Sequence, residues 1–390
     1  MTGKQAKSDA LVWFGCTGDL GLKMTFPALF RMERRGMLDI PIVGVASSQW
    51  THDDLVQRAR ESVEQFGGGL HDDRDEAAFD RLAARLAYVD GDYGDDATFV
   101  QVAKLLDASK AIRPAHYLAI PPGLFQTVIT ALGRAGLADD GRVIVEKPFG
   151  RDLDSAQELS RVVHTVFPEE RVFRIDHYLG KESVLGIMYA RFANSMLEPF
   201  WNRDMIDSVQ ITMAEDFGVA GRGKFYEGVG ALRDVVQNHV LQIVTLLAME
   251  PPVDIEAGSV RAEADKVLRA IDPLTSGDLV RGQFDGYRSE AGVAADSDVE
   301  TFAALRFEID NWRWGGVPWF VRAGKNLPVR ATEARIRLRK PPAKIFPGDH
   351  VPSGGSDYVR VRVTPDGQLA LGLRTKEPGP EFVGEMGELL

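Results

Sequence analysis

Unbroken apolar runs alternate with segments of helical periodicity through the first part of the chain. The run ALVWFG is followed by the glycine-punctuated GCTGDLG, the amphipathic TFPALFRMERRGM and a second apolar run, IPIVGVAS. Apolar runs of this length suit strands buried on both faces, and strand, turn, helix and strand in about forty residues predict a parallel βαβ crossover. The alternation continues: DLVQRARESVEQF, EAAFDRLAARLAYV and LFQTVITALGRAGL carry helical spacing, AHYLAIPP reads as a buried strand, and RVIVEKPFG as a strand ending in a turn. The expected architecture is an open, doubly wound parallel sheet with its ligands at the carboxyl ends of the strands.

From Arg174 the texture changes. VLGIMYARFANSML reads as a long helix leading to DSVQITMAE, and GALRDVVQNHVLQIVTLLAM as a second helix. TFAALRFEI, VPWFVRAG, EARIRLRK, YVRVRVTP and GQLALGLRTK follow as strands in series, which predicts an α+β domain with a large antiparallel sheet. SEAGVAADSDVET, polar, small and acidic, is expected to be a mobile loop. The expected division is therefore 1–173, an α/β Rossmann domain, and 174–390, an α+β domain for substrate binding and oligomerisation.

Composition narrows the functions. The 390 residues, 44% hydrophobic and 26% charged, are those of a folded globular protein, and the length suggests more than one core. A net charge of -11 argues against broad nucleic-acid binding, which needs a basic footprint. No membrane is implied, because VLQIVTLLAM and its like fall short of the ~20 apolar residues of a spanning helix. The start, MTGKQAKSDA, lacks a signal peptide's apolar core, so a cytoplasmic location is expected. The single cysteine, Cys16, can form no internal disulfide and reads as a small buried residue in a tight turn.

The turn GCTGDLG places Gly15, Gly18 and Gly21 between a strand and a helix. Glycines here let the backbone approach a pyrophosphate, whose charge meets free N–H groups and the positive end of the helix. The residue closing the second strand normally selects the cofactor, an acid favouring NAD and an arginine accommodating NADP. Ser47 and Ser48 stand there, so the choice stays open.

RIDHYLGKE, Arg174 to Glu182, combines an aspartate, a histidine, a tyrosine and a lysine within nine residues. With FGCTGDLG, YLAIPP, VEKPFG, RFANSMLEPFWN, GVAGRGKFYEGVGALRDVVQNHVLQ and VPWFVRAGKNL it resembles the glucose-6-phosphate dehydrogenase family, matching that family's signature residue for residue. The resemblance implies a Rossmann domain followed by an α+β domain with a large, mainly antiparallel sheet, through which homodimers or homotetramers form. It implies oxidation of β-D-glucose 6-phosphate to 6-phosphoglucono-lactone, with NADP, or alternatively NAD, as cofactor and with no metal. For the cofactor it points to Gly15, Thr17, Gly18, Asp19, Leu20, Ser47, Tyr117, Pro121 and Lys147. Two departures remove positive charge near the adenosine phosphate: only Lys23 of a basic pair is kept, and Ser47 replaces an arginine common in the family. The family also continues with helical sequence where this chain stops at EFVGEMGELL, so a C-terminally truncated chain is expected.

Oxidising an anomeric hydroxyl requires a base for its proton and an acceptor for the hydride from the same carbon. Histidine suits the first task, with an unperturbed pKa of ~6.5, and His177 and His239 are the candidates. The resemblance implies that His239 is the base, that Asp176 orients it, and that Lys147 hydrogen-bonds the reacting hydroxyl. It assigns His177, Tyr178 and Lys181 to the sugar phosphate, joined by Lys325 and Arg330, and Glu215 and Asp234 to the sugar hydroxyls. The rivals are a dehydrogenase of another hexose or hexose phosphate, and a non-catalytic paralogue that binds nucleotide or sugar phosphate.

Overall fold

In the computed structural model, which describes residues 7–150, 152–176, 178–219, 221–341, 356–380 and 384–390, the chain forms two units, Met1–Asp176 and His177–Leu390. The first is built on six strands, β1 (Ala10–Phe14), β2 (Ile42–Ala46), β3 (Leu86–Asp90), β4 (Pro114–Leu118), β5 (Arg142–Val145) and β6 (Val172–Arg174). All neighbours are parallel, in the order β3-β2-β1-β4-β5-β6. This is the dinucleotide-binding order, and the chain reverses direction across the sheet between β1 and β4. Alternate residues of β1 serve separate cores: Val12 and Phe14 pack with Val128 and Val163, while Trp13 packs with Phe26, Phe30 and Leu55. Burial on both faces is why the strand is apolar throughout.

One expected helix is shorter than its periodicity suggests. Asp72 caps a helix over Asp73–Arg85, and the rest of EAAFDRLAARLAYV becomes β3, paired with β2 from Leu86 to Asp90. A short apolar run can satisfy either state, and the vacant edge of β2 decided this one.

His116, on β4, is wholly buried, with Nε2 2.8 Å from Leu137 O. Burial pushes its imidazole from 6.5 down to about 4. Between those values the unfolded chain binds the proton that the folded chain refuses, so stability present above pH 6.5 is lost as pH falls toward 4. At about 1.4 kcal/mol per pKa unit, the loss amounts to about 3 kcal/mol. Denaturant unfolding measured across this range should show that slope, and His116→Phe should flatten it; an equal slope in the variant would assign the effect elsewhere.

The second unit holds an eight-stranded sheet, formed by β7 (Ile206–Ala214), β8 (Leu279–Gly282), β9 (Phe302–Phe307), β10 (Trp319–Gly324), β11 (Ala331–Leu338), β12 (Tyr358–Thr364), β13 (Gln368–Lys376) and β14 (Gly384–Leu389). Its order is β14-β13-β12-β11-β7-β10-β9-β8, antiparallel except where β7 and β10 run parallel. Val209, Ile211, Val321, Ile336 and Val359 share one core with Val236, Val240, Ile243 and Leu247 from the helical segment between β7 and β8. No helix among the described residues is long and apolar enough to cross a membrane.

Two expectations are corrected here. The helix in VLGIMYARFANSML spans only Glu182–Phe192, and beyond it Asn194 Nδ2 donates back to Ala190 O at 3.0 Å, terminating the run. SEAGVAADSDVET is pinned: Ser297 is buried, its hydroxyl donates to Glu227 Oε2 at 2.8 Å, and Gln283 Nε2 donates to Ser297 O and Val299 O, both at 2.9 Å. Composition marked this loop as polar, and those polar groups are what bind it down.

Candidate active site

In the first unit the glycine turn leaves the carboxyl end of β1. Gly15 has φ +83°, its N–H donates to Val45 O at 2.8 Å, and a Cβ there would lie 2.2 Å from Ala119 O. A side chain is therefore excluded by backbone conformation and by the neighbouring strand end together. Gly21 is equally tight, since a Cβ would meet Cys16 O at 2.5 Å and the Trp13 ring at 2.9 Å. Cys16 in turn fills the space over Gly44, and burial pushes its thiol up to about 12, as expected of an inert packing residue. The bare backbone of this turn, at the sheet's switch point and leading into the π-wound Gly21–Thr25 and the helix Phe26–Arg34, fits a dinucleotide pyrophosphate.

The other candidate cofactor residues surround this turn within the same unit. Ser47 is exposed just beyond β2, and the adjacent Ser48 donates to Thr17 Oγ1 at 3.0 Å, tying the strand end to the turn. Asp19 and Lys23 form an exposed ion pair of 2.9 Å, which lowers the carboxyl below its usual range. Leu20 is exposed at the entry to the helix, and Pro121 follows β4. Tyr117, on β4, donates to Glu146 Oε1 at 2.8 Å; burial, with that carboxylate, pushes its phenol up. Lys147 follows β5 and Asp176 follows β6, so both stand past the carboxyl ends of parallel strands.

Within the second unit Tyr178, from RIDHYLGKE, meets His239, from QNHVLQ. His177 lies outside the described residues. Tyr178 is 3% exposed and its ring lies on the His239 imidazole, with centroids 4.7 Å apart and planes tilted by 32°. Lys181 Nζ stands 4.8 Å from the Tyr178 centroid, within cation–π range, so one phenol ring touches both the ammonium and the imidazole. His239 belongs to a π-wound segment, Leu232–Val240, that continues as an α-helix over Leu241–Ala248. Asp234 and His239 are five residues apart, a separation that in an α-helix would turn them about 140° from each other. The wider i→i+5 winding, frequent at functional sites, brings them nearer one face.

The parallel neighbours β7 and β10 assemble a second group of candidates at their ends. Glu215 follows β7 and Lys325 follows β10; Glu215 N–H donates to Gly324 O at 3.0 Å and Lys325 Nζ to Glu215 Oε2 at 2.6 Å. Lys325 is 3% exposed, and an ammonium so deeply buried requires such a partner. Its Nζ also lies 5.1 Å from the Phe217 centroid and 5.3 Å from that of Tyr226. The Arg330 guanidinium lies 5.8 Å from the Phe217 centroid, so one ring is flanked by two of the candidate phosphate cations. Phe217 and Tyr226 were missed by sequence reasoning, because aromatic residues in an apolar context carry no signal of a cation beside them.

Comparison with known proteins shows the family. Residues 12–185 match the family model "Glucose-6-phosphate dehydrogenase, NAD binding domain", and residues 188–389 match "Glucose-6-phosphate dehydrogenase, C-terminal domain". Glucose-6-phosphate 1-dehydrogenase 1 of Mycobacterium tuberculosis (strain ATCC 25618 / H37Rv) is 50% identical over 364 residues, 93% of this chain and 76% of that protein. A crystal structure of glucose-6-phosphate 1-dehydrogenase from Mycobacterium avium superposes with a TM-score of 0.89 at 45% identity, over 98% of this chain and 83% of its own. A glucose-6-phosphate dehydrogenase solved with its substrate glucose-6-phosphate has a TM-score of 0.89 at 37% identity, over 100% of this chain and 82% of its own. With both of its units matched in order and half of the 364 aligned residues shared with one member, the chain belongs to the glucose-6-phosphate dehydrogenase family.

Proposed function

We infer that the chain is a glucose-6-phosphate 1-dehydrogenase, oxidising β-D-glucose 6-phosphate to 6-phosphoglucono-lactone with NADP or NAD in the first step of the oxidative pentose phosphate pathway. The observation that carries this reading is the contact of the Tyr178 ring with both Lys181 and His239 in a chain that matches the family through both units. His239 takes the proton of the C1 hydroxyl, and Asp176 orients the imidazole and balances the charge it gains. Lys147 donates to the same hydroxyl. Tyr178, Lys181 and His177 hold the phosphate, with Arg330 and Lys325 adding positive charge. Glu215 and Asp234 accept from the sugar hydroxyls. The nicotinamide, when bound, supplies the hydride acceptor; Gly15, Thr17, Gly18, Asp19 and Leu20 hold its pyrophosphate end, with Tyr117 and Pro121 beside them.

Ser47 brings no charge to the adenosine ribose, so discrimination between NADP and NAD is proposed to be weak. The experiment is reduction of NADP and of NAD, in parallel, by the purified chain with glucose 6-phosphate. Turnover with both at comparable kcat/KM is expected. A strong preference for NADP would reject Ser47 as neutral, and a folded chain silent with both would reject the dehydrogenase reading.

A homodimer or homotetramer is also proposed, formed through the eight-stranded sheet. Its support is a sheet face that the described residues leave open, where Gln210, Thr212, Phe320 and Arg322 line a shallow trough of about 540 Å³.

A further inference from the structure

The helical segment that carries His239 is held at both ends by side chains distant in sequence. At its start Gly230 has φ +65°, and a Cβ there would lie 2.5 Å from the Glu300 carboxylate. Ala231 N–H donates to Glu300 O at 2.9 Å and Leu232 N–H to Glu300 Oε1 at 3.0 Å. At its finish, the carbonyls that a helix leaves without intrahelical partners are met one after another. Arg191 Nη1 donates to Leu246 O at 3.2 Å and to Met249 O at 2.7 Å. Trp201 Nε1 donates to Leu247 O and Trp314 Nε1 to Ala248 O, each at 2.8 Å. These three side chains are at most 2% exposed.

A glycine after the last turn commonly closes a helix. Two buried indoles and a buried guanidinium are a far more rigid closure. Arg191 is itself braced, 3.6 Å from Glu198, with its guanidinium 4.5 Å from the Phe192 centroid and 5.5 Å from that of Trp201. Between the two anchors the chain is π-wound over Leu232–Val240. Return to α-winding would alter both the length of the segment and its rotation, by about 100° for each residue displaced. With both ends held, the widened turn cannot pass out of either.

We propose that Arg191, Trp201 and Trp314 are positioning residues for the reaction: by holding the carbonyls of residues 246–249 they trap the π-wound turn and so fix the rotation of the His239 imidazole. The proposal rests on His239 being the base. Trp201 and Trp314 are buried and donate to the helix carbonyls, so their part is played through the helix.

The experiment uses Trp201→Phe and Trp314→Phe in the full chain labelled with ¹⁵N-histidine, each variant losing one N–H donor and keeping an aromatic ring. Well below the melting temperature, kcat should fall by about ten- to a hundredfold, the scale of a small misplacement of a catalytic group, with KM for glucose 6-phosphate unchanged. The ring resonances of His239 should move while those of His164, in the other unit, stay. Arg191→Lys, which keeps one cationic donor, should lose less kcat than Arg191→Met and serves where a tryptophan variant fails to fold. A lowered melting temperature with unchanged kcat and unchanged His239 resonances would overturn the proposal, leaving the three as ordinary core residues. Normal turnover in His239→Asn would remove the base assignment, and the positioning role with it; an inactive His239→Asn beside fully active tryptophan variants would remove the clamp alone.

Discussion

Replacing His239 by asparagine is expected to lower kcat by about a hundredfold or more, the usual scale of general-base catalysis, without unfolding the protein. Asparagine keeps a polar planar group over the Tyr178 ring but cannot accept a proton at neutral pH. The segment around position 239 is held by its buried neighbours, Val235, Val236 and Val240, so the substitution leaves the packing of the helix in place. KM for the sugar phosphate should change little under the proposed assignment, in which the imidazole acts on the hydroxyl at C1 and Lys181 and its neighbours hold the phosphate. Steady-state rates together with a melting curve check both parts. Turnover within a few-fold of the parent would take His239 out of the role and return the question to His177, the other histidine of the two motifs.

The second large effect is expected at Lys181. Lys181→Ala should raise KM for glucose 6-phosphate by about ten- to a hundredfold, because a hydrogen bond between charged groups is worth about 1.5–3 kcal/mol. Lys181 is exposed at the start of the helix Glu182–Phe192, and its cation–π contact with the Tyr178 ring is worth about 0.5–1 kcal/mol at such a site, so its removal should move the melting temperature only slightly. The comparison that matters is with unphosphorylated glucose, for which KM should rise far less. Equal losses on both sugars would mean that the ammonium acts through the Tyr178–His239 stack, 4.8 Å away, instead of on the phosphate. Lys325 differs in kind: it is buried against Glu215, so removing it disturbs folding and binding together.

Much of the fold was legible because its signals are local. A strand buried on both faces must be apolar throughout, as ALVWFG is, and a chain that turns tightly over a neighbouring strand must be glycine there, as Gly15 is with a Cβ 2.2 Å from Ala119 O. RIDHYLGKE named the family because nine residues in order carry more information than composition or spacing. The errors occurred where two local readings were equally good. LAYVD could extend a helix or begin a strand, and SEAGVAADSDVET could be loose or tied by its own hydroxyls.

The sequence by itself determined which segments are apolar on two faces or one, where the backbone must be bare, and which family's motifs are present. Only the tertiary structure decided which distant side chains meet. β7 and β10 are neighbours although β8 and β9 separate them in the chain, and that strand order alone sets Lys325 against Glu215. The stack of Tyr178 on His239, and the three caps on the helix beyond it, likewise join residues with no periodic relation. Periodicity records the burial of each residue relative to its own helix or strand. It carries nothing about the partner across the core, because that pairing is chosen by the global packing that satisfies every buried face and polar group at once.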